Sequence, residues 1–333
     1  MQRSRLGRTG LDITRIGFGS IPIQRLALKE AVTVLRRALD MGVGLIDTAR
    51  SYTDSEEKIG TALRGRAERP VLMSKSYSRD ADGIRRDVET SLEKLGASAI
   101  EVYLLHNVNT VSLLDQVTSS GGALEGLRRA AQEGLVKFVG ISGHKPPILA
   151  EALRRDAFDV LEFPFNAIEQ EAASLIEEAA RRDVGTIIMK PLAGGALRPA
   201  SAAIRFVLTY PVSCVIPGMQ ALNEVAEDLS AERKLSEGEQ QALLEQAAQW
   251  KGRFCRRCEY CLQACTNNVN ITLILLFAAY SKRYGLKDWA RDRYAALPVH
   301  VDACEDCGKC EERCPYDLPI REMLREAHAE LAR

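Results

Sequence analysis

Four side chains in the first third of the chain have the types needed to move a proton onto a carbonyl oxygen. Asp47 follows the apolar run Gly44-Leu45-Ile46, and Tyr52 lies five residues further on. Lys75 closes the run VLMSK, and His106 closes VYLLH. When a hydride reaches a carbonyl carbon, the oxygen gains negative charge and needs a proton, which a phenol supplies as general acid. An ordinary tyrosine, with a pKa of about 10, gives that proton slowly at neutral pH. Lys75 beside the phenol would favour its ionised form, Asp47 would hold the ammonium, and His106 would hydrogen-bond the substrate oxygen. Taken singly, each residue reads as packing or as part of a buried Asp-Lys pair. Four types at or just beyond three successive strand ends argue together for a site.

A second constellation lies near the other end. Eight of the nine cysteines stand at or beyond Cys255, and they repeat one spacing twice. Cys255, Cys258, Cys261 and Cys265 form the first run, and Cys304, Cys307, Cys310 and Cys314, followed by Pro315, form the second. This is the spacing of two-[4Fe-4S] ferredoxins, in which the fourth cysteine of each run ligates the other cluster. The rule assigns Cys255, Cys258, Cys261 and Cys314 to one cluster, and Cys304, Cys307, Cys310 and Cys265 to the other. Zinc is the alternative, since Cys-x2-Cys pairs also build tetrahedral sites, but zinc does not need the third and fourth cysteines so placed. Thr266 stands where the first run would carry a proline. The ninth cysteine, Cys214, reads as a small buried apolar residue.

The elements that must position these groups follow from periodicity. From Arg15 onward, short apolar runs alternate with longer helical patterns, the signature of repeated βα units and a parallel sheet. Expected strands are 15–18, 44–47, 71–75, 100–106, 137–142, 160–163, 186–190 and 214–217. Between the third and fourth, Ile84, Val88, Leu92 and Leu95 recur on one helical face. Eight such pairs in about 230 residues predict a closed (β/α)8 TIM barrel, whose site gathers at the strand ends. An open doubly wound sheet is the runner-up, but no GxGxxG follows an early strand. Residues 6–11 predict a hairpin under the closed end of the barrel. Helices are expected over 237–250, 271–280 and 320–331, and the loop after His106, 107–122, is long and uninformative. The expected division is 1–250 for the barrel and 251–333 for a small, mainly helical ferredoxin-like domain, with the boundary near Lys251-Gly252.

Composition narrows the partners. Lys+Arg and Asp+Glu number 45 each in 333 residues, so no net field draws nucleic acid or an anionic membrane. The N-terminus carries no apolar signal-peptide run, and the longest apolar stretch, 271–280, is too short to span a bilayer. The expectation is a cytoplasmic protein with neither nucleic acid nor membrane as partner.

At this point the chain resembles the aldo-keto reductases. The resemblance rests on Leu6–Leu11, Ile46-Asp47-Thr48-Ala49 through Tyr52, Ser55-Glu56, Ile59-Gly60, Leu105-His106, Gly140-Ile141-Ser142, the KPLAGG segment 190–195 and Ile216-Pro217-Gly218. It implies a (β/α)8 barrel, a catalytic tetrad of Asp47, Tyr52, Lys75 and His106, and hydride transfer from a nicotinamide cofactor to an aldehyde or ketone. It also implies a cofactor pocket lined by Ser142, Glu162, Met189, Leu192, Gly194, Gly218 and Glu224. That pocket departs from the family pattern. Gly143 stands where the family has an asparagine, Glu162 where a glutamine holds the carboxamide, and Met189 where an aromatic stacks on the nicotinamide. Gly218 and Glu224 replace a lysine and an arginine that bind the 2′-phosphate, and a carboxylate repels phosphate. NADP(H) is thereby disfavoured relative to NAD(H).

Iron-sulfur clusters pass single electrons, whereas a hydride carries two. Three arrangements follow. The first, which the resemblance favours, is a carbonyl or alcohol oxidoreductase using NAD(H), with clusters linking it to a ferredoxin or flavoprotein electron partner. In the second, the clusters feed single electrons to a substrate in the barrel without nicotinamide. In the third, the barrel is a scaffold and the protein a non-catalytic electron-transfer subunit, against which the complete tetrad argues.

Overall fold

The computed structural model describes residues 1–257 and 259–332, which fall into two units, one comprising Met1–Leu192 and Pro199–Gln240, the other Ala193–Arg198 and the chain from Gln241. The expected boundary lies ten residues later. The division falls inside one helix because each end of it is tied differently. Glu239 accepts from the buried Arg205 at 2.7 Å in the first unit, while Gln246 brackets the backbone of Arg198 in the second.

In the first unit an antiparallel hairpin, β1 (Arg3–Arg5) and β2 (Asp12–Thr14), precedes eight parallel strands. These are β3 (Phe18–Gly19), β4 (Leu45–Asp47), β5 (Val71–Ser76), β6 (Ile100–Leu105), β7 (Val136–Ser142), β8 (Val160–Pro164), β9 (Gly185–Met189) and β10 (Cys214–Ile216), each paired with its neighbour in sequence. Parallel bridges at Ile16–Val215 and Gly19–Gly218 bring the first strand to the last, so the sheet closes into a barrel. Gly19 permits this seam, since a Cβ there would meet the Ile216 carbonyl at 2.8 Å.

Helices cover the outside: α1 (Leu28–Asp40), α2 (Ser55–Leu63), α3 (Ala81–Leu95), α4 (Val111–Thr118), α5 (Ala123–Gln132), α6 (Pro146–Arg154), α7 (Ala173–Arg181), α8 (Ala200–Leu208) and α9 (Leu222–Leu229). The face of α3 read from spacing is the buried one: Ile84, Val88, Leu92 and Leu95 all face the core. The stretch after His106 differs from its reading as a loop. It contains α4, whose N-cap Thr110 accepts from Leu113 N at 3.1 Å, and its Leu114 is fully buried.

The barrel interior follows the period of two that strands impose. Leu45, Met73, Val102, Leu104, Val160, Ile187, Cys214 and Ile216 form one apolar cluster with Leu6 and Ile13. Leu6, at the base of the hairpin, closes the lower end against Gly185, where a Cβ would stand 2.6 Å from the Leu6 side chain. The next inward positions toward the strand ends are Asp47 after Leu45, Lys75 after Met73, His106 after Leu104, Glu162 after Val160 and Met189 after Ile187. The same alternation that packs the floor therefore delivers four ionisable groups to the mouth.

The second unit is helical, with α10 (Glu237–Gln249) shared at the boundary, then α11 (Tyr260–Ala264), α12 (Ile271–Tyr284), α13 (Lys287–Ala295), α14 (Lys309–Glu312) and α15 (Ile320–Leu331). Its core joins Ile271, Ile274 and Phe277 of α12, Tyr294 of α13, and Ile320, Leu324, Ala327 and Leu331 of α15, with Cys261 and Cys310 among them. The helical face expected over 320–331 is thus the buried one. Among the described residues no helix is long and apolar enough to cross a membrane.

Candidate functional site

The loop that carries Tyr52 is built by its own backbone. Thr48 N donates to Met73 O at 2.8 Å and Arg50 N to Lys75 O at 2.9 Å, so the segment leaving β4 runs on along β5. It then turns back: Tyr52 N bonds Ala49 O at 3.0 Å and Ser55 N bonds Tyr52 O at 2.8 Å. Beneath it the buried Glu56 accepts from Ser74 Oγ at 2.8 Å and pairs with Arg50. The phenol is fixed by this frame against the end of β5.

The mouth brings the four sequence-selected groups together. Asp47, Lys75 and His106 are 3%, 1% and 7% exposed. Lys75 Nζ donates to Asp47 Oδ1 and lies 5.4 Å from the centroid of the Tyr52 ring. Tyr52 and His106 meet edge to face, with ring centroids 6.0 Å apart. A fifth member joins them: the Glu162 Oε2 lies 3.1 Å from Lys75 Nζ. That oxygen makes an ion pair off the hydrogen-bonding direction, and among the described residues it has no hydrogen bond.

Protonation in this site is governed by burial. Loss of water pushes the Tyr52 phenol well above the ordinary tyrosine range; Lys75 opposes this, while Asp47, Glu162 and Tyr77 add to it. Lys75 thus acts in the expected direction, but burial and the carboxylates outweigh it, and the phenol stays a neutral donor. Burial likewise raises Asp47, to about 8, with Glu162 adding and Lys75 opposing. Against that same burial, Asp47 and Glu162 hold the Lys75 ammonium above its usual value. His106 is lowered to about 2, first by burial and then by Lys75 and Arg79, so its imidazole is neutral. Its Nδ1 is buried with no hydrogen-bond partner among the described residues.

Other neighbours escaped sequence reasoning. Tyr77, half-exposed, stacks on His106 with centroids 4.2 Å apart, and Arg79 donates to the His106 carbonyl at 2.7 Å. Both lie within four residues of Lys75, and their distance along the chain from a strand end was the available signal.

The residues expected around a nicotinamide are placed as follows. Ser142, paired in register with Glu162, accepts from Asn107 N at 3.0 Å. Gly143 cannot be exchanged for asparagine, because a Cβ there would stand 2.7 Å from Val108 O. Amide groups come from the neighbouring strand end instead, where Asn109 Oδ1 accepts from His144 N at 2.6 Å and Asn107 Oδ1 meets the His144 ring at 3.0 Å. Met189, the last residue of β9, and Leu192 beyond it are half-buried, and Gly194, at φ 63°, belongs to the second unit. Gly218 packs on Pro22, and Glu224 accepts from Gln220 N at 2.7 Å. A cation that the sequence reading did not single out reaches the same turn: Arg25 donates to Gln220 Oε1 at 3.0 Å.

In the second unit the cysteines surround two cavities. One, of about 320 Å³, is lined by Cys255, Cys261 and Cys314; the other, of about 400 Å³, by Cys265, Cys304, Cys307 and Cys310. Cys258, expected as a further ligand of the first set, lies outside the described residues. The fourth cysteine of each run therefore stands with the other run, as the crossed assignment requires. The backbone repeats as well as the spacing. Positive φ angles occur at Arg257, Glu259 and Asn268, and at Asp306, Gly308 and Asp317, in each case two, four and thirteen residues after the first cysteine of the run. Both cavities are walled in part by apolar side chains such as Ile271, Leu318 and Leu324. Several soft thiolates lining one apolar-walled space suit an iron-sulfur cluster.

Comparison with known proteins agrees with both halves. Residues 15–202 match the model of the aldo/keto reductase family, and residues 254–319 match that of a 4Fe-4S dicluster domain. Curated relatives include the uncharacterized oxidoreductase YqkF of Bacillus subtilis, 25% identical over 255 residues (70% of this chain, 81% of that one). L-galactose dehydrogenase of Arabidopsis thaliana is 26% identical over 282 residues (69% and 88%). Among solved structures, a putative aldo-keto reductase from Pseudomonas aeruginosa is 31% identical with a TM-score of 0.62, covering 69% of this chain and 93% of that one. The holo form of an aldo-keto reductase from Bacillus halodurans shares the fold, with a TM-score of 0.66 at 21% identity over 74% and 96% of the two chains.

Proposed function

This chain belongs to the aldo-keto reductase family and is an oxidoreductase with a 4Fe-4S dicluster domain, and from that premise we propose that the barrel interconverts an aldehyde or ketone and its alcohol, with Tyr52 as general acid. The observation that carries the reading is the neutral phenol set over the Lys75 ammonium, with the Asp47 carboxyl behind it and the neutral His106 beside it. Tyr52 donates its proton to the substrate oxygen as negative charge develops there. Lys75 stabilises the phenolate so formed, and Asp47 keeps the ammonium in place. His106, held neutral, orients the oxygen by a hydrogen bond without competing as an acid.

Bound nicotinamide would supply the hydride, and bound clusters would supply or accept electrons singly. Ser142, Met189, Leu192 and Gly218 would hold the former, and the absence of a cation at Gly218 and Glu224 favours NAD(H), with Arg25 as the residue through which NADP(H) could still bind. Cys255, Cys258, Cys261 and Cys314 would hold one cluster, and Cys265, Cys304, Cys307 and Cys310 the other. Their natural use is exchange with a ferredoxin or flavoprotein partner. One observation favours a second reading, without nicotinamide: Glu162, at the position expected to hold the carboxamide, is engaged by Lys75.

Anaerobic purification, iron and sulfide assay, electron paramagnetic resonance and titration with NADH and NADPH separate the two. Cluster reduction by NADH supports the first reading, and clusters answering only to a low-potential donor, with no nicotinamide bound, support the second. Exchange of Tyr52→Phe should lower carbonyl turnover by about 10²–10⁴-fold, the usual worth of a general acid. Unchanged turnover would remove the phenol from the chemistry in either reading.

A further inference from the structure

Three charges share one small space at the barrel mouth. Lys75 Nζ is held by Asp47 from β4 and lies 3.1 Å from Glu162 of β8, and all three are almost wholly buried. An Asp-Lys pair would be neutral, but a second carboxylate leaves one uncompensated negative charge where water cannot solvate it, and such a charge is costly. We propose that Glu162 keeps one proton within the trio, shared by the two carboxyls, so that the resting site is a Lys75 ammonium with a single net carboxylate charge, and that Glu162 is thereby a positioning residue that sets the charge felt by Tyr52. The proposal deepens the proposed function and rests on it for its catalytic consequence.

No other group on the surrounding strands supplies the missing positive charge to Asp47. Lys75 comes from β5 and Tyr77 from just beyond it, the neutral His106 from just beyond β6, and the Cys214 thiol, which burial holds protonated, from β10. Arg79 acts on His106 and not on Asp47. The upward displacement of Asp47, in which Glu162 is the second cause after burial, agrees with this count. When rising pH strips that shared proton, the trio turns negative. Its charge then holds the phenolic proton more tightly, making Tyr52 a poorer donor.

The test is infrared difference spectroscopy on the full-length, anaerobically purified protein, reading the carbonyl stretch of neutral carboxylic acids. Asp228 is also buried and raised to about 8, by burial and then by Glu224 and Glu227, so Asp228→Asn serves as background. In that background a neutral-acid band should be present at neutral pH and fade as pH rises through about 8. Adding Glu162→Gln should abolish it at neutral pH, because an Asp47-Lys75 pair needs no extra proton. A band that survives Glu162→Gln, or no band in the Asp228→Asn protein, overturns the proposal. Should Glu162→Gln fail to fold, Lys75→Met must strengthen the band by leaving two carboxyls without a cation, and an unchanged band is equally fatal. None of these readouts needs turnover, so a Tyr52→Phe protein that keeps its activity would refute the proposed function while leaving this proton in place.

Discussion

The barrel mouth and the cysteine-lined lobe solve the same problem, gathering distant groups around a small volume, by opposite means. At the mouth the groups neutralise one another: Lys75 is satisfied by Asp47 and Glu162, and the Tyr52 loop is closed by its own backbone hydrogen bonds. In the lobe the described cysteines line two cavities, and two of them belong to the apolar core. The mouth is organised by protein contacts alone. The lobe takes part of its cohesion from what the cysteines hold, as in small metal-bound domains whose ligand binding is also folding energy.

The sharpest break of that comparison is removal of a cluster. Exchange of Cys261→Ala should cost about half of the bound iron and remove or lower the unfolding transition of the second unit, while the barrel's transition stays in place. Anaerobic iron assay with scanning calorimetry reads both, and a single transition moving as a whole would show that the two units do not differ in this way. Next in size is Lys75→Met, which strands two buried carboxyls. It should destabilise the barrel by about 3–5 kcal/mol, with part restored by adding Glu162→Gln; denaturant titration measures each step.

A smaller effect lies in pH. His106 has a folded pKa depressed to about 2, so the stability it lends is complete above its ordinary value near 6.5 and is lost as pH falls toward 2. Asp47 is raised to about 8, so its contribution is complete below about pH 4 and is lost as pH rises through 8. The barrel's Tm should therefore fall on both sides. Glu162→Gln should flatten the alkaline side only, and His106→Gln the acid side only.

The smallest test compares single hydroxyls. Tyr103 Oη meets Ser91 Oγ at 3.1 Å in the barrel, and Tyr294 Oη meets His328 Nδ1 at 2.6 Å in the lobe. Phenylalanine at either should cost about 1 kcal/mol. A much larger loss at Tyr294, seen by thermal melts, would mark the lobe as the less redundant of the two.

Much of this architecture is written along the chain. The alternation of apolar runs with helical spacing specified eight βα units, and the positions of Asp47, Lys75 and His106 at the ends of apolar runs placed them at one mouth. The repeated cysteine spacing likewise specified which run lends its fourth cysteine to the other. These are one-dimensional properties, because periodicity and spacing depend only on the local geometry of strand, helix and loop. Tertiary structure alone decided the rest. The helix within 107–122 has a weak signal that its N-cap and the burial of Leu114 complete. Glu162 lies on Lys75 because β7 and β8 pair Ser142 with Glu162, which no neighbour in sequence foretells. The balance at Tyr52, where burial outweighs a nearby ammonium, is a sum over groups from three strands, β4, β5 and β8, and only their closure into a barrel fixes its sign.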